Sequence, residues 1–108
     1  MKIFILANRE HVKADVAASY PHDEIALFLY KPDMQPFLEV ALEFGRAVIA
    51  GSTVGETIRL VVAGPVAIAY ILGMAFAHAS RHIIFAYLDL EKKRYVDLDL
   101  SDHKRVHL

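Results

Sequence analysis

Residues Thr57 to Leu90 run TIRLVVAG, then PVAIAYILGMAFAHAS, then RHIIFAYLDL, and the fold turns on these three pieces. Leu60-Val61-Val62-Ala63 is a short continuous apolar run, as expected of a strand covered on both faces. Pro65 cannot donate a ladder hydrogen bond, but its fixed φ suits the first position of a helix, so it marks the switch. Val66 to Ser80 then reads as a helix and Arg81 to Leu90 as a second buried strand, giving one βαβ unit. Gly64 lets the backbone turn with no Cβ in the way and leaves free amides at the helix N-terminus, a natural anion site. The plainer reading is that any tight strand-to-helix turn favours Gly-Pro and most bind nothing.

A membrane span is the rival reading, because Leu60 to Ala79 is 20 residues without a formal charge and that is long enough. Gly64-Pro65 breaks the run, and Arg59 and Arg81 at its two ends remove any positive-inside bias. The expectation is therefore strand plus buried helix and no membrane.

The flanking sequence fits that unit. Lys2 to Ala7 reads as a central strand, apolar without alternation. A short helix follows to about Tyr20, with Val12, Val16, Ala17 and Tyr20 on one face. Glu24 to Tyr30 is a second strand. Pro36 stands near the start of a longer helix whose Phe37, Val40, Ala41, Phe44 and Val48 keep helical spacing, with Glu39, Glu43 and Arg46 towards solvent. Gly51 to Glu56 is a loop. After the charged turn Glu91-Lys92-Lys93, Arg94 to Leu100 alternates like an antiparallel edge strand. The expected fold class is α/β: a Rossmann-like open sheet, βαβαβαββ, with a C-terminal β-hairpin, as a single domain over residues 1–108. The helix from Val66 to Ser80 is apolar almost all round, so burial on more than one side is expected. Its Ala69, Gly73 and Ala77 form a flat stripe, for packing on the sheet or for a two-fold interface.

Composition limits the partners. At 108 residues the chain can build one core, and 56% hydrophobic residues against 23% charged is rich enough that part of the apolar surface is expected to hide against a second copy. A net charge of −1 gives no basic field for double-stranded nucleic acid. With no cysteine, disulfides, thiolate catalysis and zinc-thiolate sites are excluded, and a cytoplasmic location fits. Met1 to Ala7 stops at Asn8-Arg9-Glu10, before a signal-peptide core is complete.

In an open α/β sheet, ligands bind beyond the carboxyl ends of the strands. Here the loop Asn8-Arg9-Glu10-His11 brings an amide, a guanidinium and an imidazole together after a central strand. Arg9 and Lys31 suit phosphate oxygens, Asn8 a base or ribose, and His11 proton transfer. The alternative is that Asn8 and Arg9 merely cap and solubilise a helix. His78 and His82, four apart, invite a metal reading, but Ala79 stands where the zinc-peptidase motif needs Glu. No metal site and no cofactor is expected. There is no Walker loop, GxGxxG or GxSxG, and the acidic pair of a receiver domain is replaced by Asn8-Arg9.

The segment from Ile58 to Leu100, with Ala63-Gly64-Pro65, the Ala-rich helix carrying Gly73, and Tyr87 and Tyr95 beyond it, resembles the closing half of SAVED domains, relatives of the CARF domains that sense cyclic oligonucleotides. It also resembles small standalone CRISPR-associated ring nucleases, through Gly64-Pro65, Ala77-His78 with His82, and Asp89. The resemblance implies binding of a cyclic oligoadenylate by a homodimer in type III CRISPR antiviral signalling, and ring cleavage without metal. Arg9 and His11 are then the catalytic candidates, and Asn8, Lys31, Ser52, Thr53, Gly64 and Pro65 the ligand-binding ones. The other arrangement sets His78, His82 and Asp89 of a second dimer against the ring. A non-catalytic sensor that regulates a partner, or a structural α/β dimer, stay open beside it.

Overall fold

The computed structural model describes residues 1–33, 36–77 and 79–98. They form β1 (Lys2–Ala7), α1 (His11–Ser19), β2 (Glu24–Leu29), α2 (Phe37–Ala50), β3 (Thr57–Ala63), α3 (Val66–Phe76), β4 (His82–Asp89) and β5 (Arg94–Asp97). The result is a compact α/β fold, a five-stranded mixed sheet in the order β2-β1-β3-β4-β5 with three helices. Strands β1 to β4 run parallel, and β5 pairs antiparallel to β4. His78, and residues 99 and 100 of the expected last strand, lie outside the described residues.

Side-chain alternation sorts the internal strands onto two faces. Phe4 and Leu6 of β1 join Ile58 and Leu60 of β3 on one face, against Val40, Ala41, Phe44 and Val48 of α2 and Ile68, Leu72 and Phe76 of α3. The ring of Phe44 meets that of Phe28 edge-on, centroids 6.0 Å apart. This is the larger core. Each fully buried side chain of this size contributes about 1.5–3 kcal/mol by leaving water. On the other face Ile3, Ile5 and Ala7 pack with Val61 and Ala86 under Val12 and Val16 of α1.

That second face has a single helix, and a charge fills the space beside it. Arg59, in the middle of β3, is 8% exposed and, among the described residues, the one buried charged side chain. Its Nε and Nη2 donate to the two oxygens of Asp97 at 2.7 and 3.0 Å, and Nη1 donates to Asp23 at 2.6 Å. The guanidinium lies 4.0 Å over the Tyr20 ring, whose hydroxyl donates to Asp97 at 2.7 Å. The hydrogen bonds from Arg59 hold the Asp97 carboxyl below the usual range. Burial, then the bond to Asp97, pushes the Tyr20 phenol up to about 12. The network ties β5 back to β3 and to the start of β2. Arg59 is thus a strand-interior residue neutralised by two carboxylates, not the flank of an apolar run.

Three expectations are corrected. Helix α3 ends at Phe76, not Ser80, and spans 11 residues, about 17 Å at 1.5 Å per residue. Pro65 is its N-cap, with extended backbone (φ −58°, ψ 143°), and not its first helical residue. The helix is buried on one side only. Ile68, Leu72 and Phe76 face the core, while Val66, Tyr70 and Met74 are 62, 71 and 80% exposed. One sheet and one neighbouring helix cover a single face. Ala69, Gly73 and Ala77 are exposed too, and a Cβ at Gly73 would meet nothing within 4 Å, so the stripe is not sheet packing. Strand β4 is likewise only partly covered: Ala86 is buried, but Tyr87 and Leu88 are exposed. Among the described residues no helix is long and apolar enough to cross a membrane.

Candidate functional site

Strand register builds the site. Ala7, the last residue of β1, stands opposite Leu29 of β2 and Ala63 of β3, so three carboxyl ends are level. Asn8 and Arg9 leave β1, Tyr30 and Lys31 leave β2, and Gly64 and Pro65 leave β3 at one edge. The Tyr30 N–H still donates to the Ala7 carbonyl at 3.1 Å, which keeps the chain beside β1 for one residue past the strand. Asn8, Arg9, Lys31 and Gly64 are exposed, as is His11 at the start of α1. Among the described residues neither Arg9 nor Lys31 is paired with a carboxylate.

Tyr30 explains Gly64. The ring is buried at 4% exposure and crosses the end of β1 to reach β3. A Cβ at Gly64 would lie 2.5 Å from the Tyr30 hydroxyl oxygen and 3.3 Å from Cζ. Gly64 is therefore required by space. Beyond it, Pro65 caps α3 without a side-chain hydrogen bond, and the first turn carries no acidic residue. The first amide to be satisfied is that of Ile68, which donates to the Pro65 carbonyl at 3.0 Å. The N–H groups of Val66 and Ala67 are left open, as at any helix start. This edge thus combines two exposed cations, open amides at the positive end of a helix and one imidazole. Such a set attracts and orients an anion.

The remaining candidates do not share this edge. Ser52 and Thr53 precede β3 at its opposite end, about 20 Å away along seven residues at 3.3 Å each. The Ser52 hydroxyl donates to the Val48 carbonyl at 2.6 Å and accepts from Arg81 Nε at 3.0 Å. Thr53 N–H donates to Glu56 at 2.9 Å, which draws the Glu56 carboxyl below its usual range. Both residues shape the loop. His82 opens β4 at that far end, with its N–H on the Glu56 carbonyl at 3.0 Å. Asp89 closes β4, seven positions further along, about 23 Å away. Asp89 lies three residues beyond the Val61–Ala86 pairing, level with Gly64, but its Oδ1 accepts the N–H groups of Glu91 and Lys92 at 3.0 and 3.1 Å. One chain does not bring His82 and Asp89 together.

Two residues escaped the sequence reading. Tyr30 was visible only as the aromatic end of EIALFLY, and Arg59 as a lone charge inside IRLVV. Two hollows have none of Asn8, Arg9, Lys31 or Gly64 in their walls. One, of about 510 Å³, separates α1 from β5 beside Asp15, Lys93 and Arg94. The other, of about 500 Å³, is an apolar groove between α2 and α3 lined by Leu42, Gly45, Ile49 and Phe76. Among the described residues no three His, Asp or Glu side chains are grouped to hold a metal ion. Comparison with family models, with curated proteins and with solved structures finds no match to the chain.

Proposed function

We propose that the chain binds a cyclic oligoadenylate as a homodimer and opens the ring, as a CARF- or SAVED-like ring nuclease of type III CRISPR antiviral signalling. In this reading the sheet is Rossmann-like and β4–β5 is its C-terminal hairpin. The observation that carries the proposal is the common level of Ala7, Leu29 and Ala63. It gathers Arg9, Lys31 and the open start of α3 at the edge where α/β sheets take anionic ligands. The resemblance of Ile58 to Leu100 to SAVED domains supplies the ligand class.

The chemistry needs positioning more than reactive groups. A ribose 2′-hydroxyl attacks the adjacent phosphorus in line, the bond to the 5′-oxygen breaks, and a 2′,3′-cyclic phosphate and a 5′-hydroxyl result. His11 accepts the 2′ proton, the departing 5′-oxygen takes a proton from water, and Arg9 and Lys31 neutralise the phosphoryl oxygens. Ser52 and Thr53, at the far edge, take no part within one chain. Dimerisation uses the outward face of α3, where Tyr70 and Met74 stand as knobs beside the notch at Gly73. A two-fold axis then sets one subunit's knobs against the other's notch.

Incubation with cyclic tri-, tetra- and hexa-adenylate in EDTA, read by chromatography, tests this. Linear products that vanish in Arg9→Ala and His11→Ala are expected, and cleavage that persists in both variants refutes the assignment. A second reading, a sensor that binds without turnover, is favoured by one observation. Among the described residues no hydrogen bond orients the His11 ring. Binding without linear product selects it.

A further inference from the structure

We infer that the hollow between α1 and β5 is a second ligand site, for a nucleoside monophosphate whose base carries an amino group: Lys93 and Arg94 take the phosphate, Leu88 and Leu90 the base, and Asp15 the amino group. The site shares no residue with the carboxyl edge and does not rest on the ligand read there. Its volume of about 510 Å³ lies within the range of small-molecule sites, about 300–1,000 Å³. Two clamps hold its walls. The Tyr95 N–H of β5 donates to Ser19 Oγ at the end of α1 at 2.9 Å, and one residue further on the Tyr20 hydroxyl donates to Asp97 at 2.7 Å. The hollow is therefore built before a ligand arrives, which lowers the ordering cost of binding.

The walls divide the chemistry. Leu88 and Leu90, 47 and 80% exposed, offer apolar surface that a flat ring covers. Lys93 and Arg94, at the β4–β5 turn, and Asp15 of α1 line the same hollow. Among the described residues none of the three is in an ion pair, although their charges are opposite and they share one space. A ligand that bridges them carries negative charge at one end and a hydrogen-bond donor at the other. Two adjacent cations suit a dianionic phosphate better than a single carboxylate. The backbone gives an independent sign. Among the described residues Lys93 is the one non-glycine with a positive φ, at 54°, a conformation that glycine or asparagine adopts at less cost. The turn alone does not ask for lysine, so its charge is what the position keeps. Burial, then the nearby Asp15 carboxylate, holds the Tyr95 phenol above its ordinary range, so this side chain of the wall stays an O–H donor at neutral pH.

The test is an amide-resolved NMR titration of the full chain with adenosine monophosphate, inosine monophosphate and inorganic phosphate, on wild type, Asp15→Asn and Lys93→Asn. The expected result is saturable movement of the Ser19, Lys93 and Tyr95 resonances with adenosine monophosphate. Inosine monophosphate sets a carbonyl oxygen against Asp15 and should bind about tenfold more weakly, the usual worth of one hydrogen bond to a charged group. Asp15→Asn should abolish that preference, because its amide donates to the carbonyl. Lys93→Asn should weaken both nucleotides about tenfold with a melting temperature no lower than wild type, since asparagine accepts the left-handed turn. Inorganic phosphate should move the Lys93 resonance only at higher concentration. Equal binding of the two nucleotides by wild type, undiminished affinity in Lys93→Asn, or phosphate alone binding as tightly as the nucleotide overturns the assignment. Movement confined to Asn8, Lys31 and Gly64, or no movement with any probe, overturns the site itself.

Discussion

Gly64→Ala is the substitution whose effect can be worked most directly from the structure. The new methyl carbon would stand 2.5 Å from the Tyr30 hydroxyl oxygen, about an ångström inside ordinary contact. Tyr30 cannot swing away freely, because its ring is buried under α2 and α3 with Phe28 and Phe44. Overpacking of this kind costs about 1–3 kcal/mol. Because Gly64 does not use the left-handed region, alanine also stiffens the unfolded chain and returns about 0.4–1 kcal/mol. The net loss is about 1–2 kcal/mol, a fall in melting temperature of about 4–8 °C for a domain of this size. Tyr30→Phe deletes the clashing atom and leaves Cζ at 3.3 Å as the nearest contact. The single variant Tyr30→Phe should change stability by less than about 0.5 kcal/mol, since it removes a hydroxyl with no partner among the described residues. The double variant should then recover most of the loss, a coupling of about 1 kcal/mol or more in a thermodynamic cycle. Urea melts of the four proteins decide it. Additive effects, or a neutral Gly64→Ala, would show that the hydroxyl is not where this account puts it.

Other predictions test other parts of the fold. Arg59→Met strands Asp23 and Asp97 without their cation; Asp97 is partly open to water, so the loss should be about 2–3 kcal/mol, below that of a fully buried pair, measured by urea denaturation. Asp97 has a lowered native pKa, so the unfolded chain binds its proton first as pH falls. Its contribution is whole above the ordinary Asp value of about 4 and is lost below it as pH falls through the native value; the acid decline in urea midpoint should be shallower in Asp97→Asn. Phe44→Ala empties the centre of the larger core and should cost about 3–5 kcal/mol. Gly73→Leu meets open space and adds a better helix former, so stability should rise by about 0.5–1 kcal/mol in a monomer. If α3 carries the dimer, the same change should shift sedimentation towards the monomer.

Legibility in the sequence followed the range of the forces involved. The strands at Lys2–Ala7 and Thr57–Ala63 and the helix start after Pro65 were readable because apolar runs and Gly-Pro punctuation act locally. The clustering of Asn8, Arg9, Lys31 and Gly64 was also foreseeable, since it follows from parallel strands ending level. Burial was harder. The all-apolar α3 pattern implied cover on several sides, yet one sheet and one helix cover only Ile68, Leu72 and Phe76. What lies against Tyr70 and Met74 is not encoded in the local pattern. Arg59 and Tyr30 were missed because their partners, Asp97 and Gly64, stand 38 and 34 positions away in the chain. Ser52 and Thr53 belong to the loop before β3, so they lie a full strand length from Gly64 in space.

The most direct test of the central claim is a calorimetric titration of cyclic tetra-adenylate into the wild type and into Arg9→Ala/Lys31→Ala. One ring should bind per two chains, with an affinity more than tenfold weaker once the two cations at the carboxyl edge are gone. Absence of binding to the wild type, or equal binding by the double variant, would contradict it.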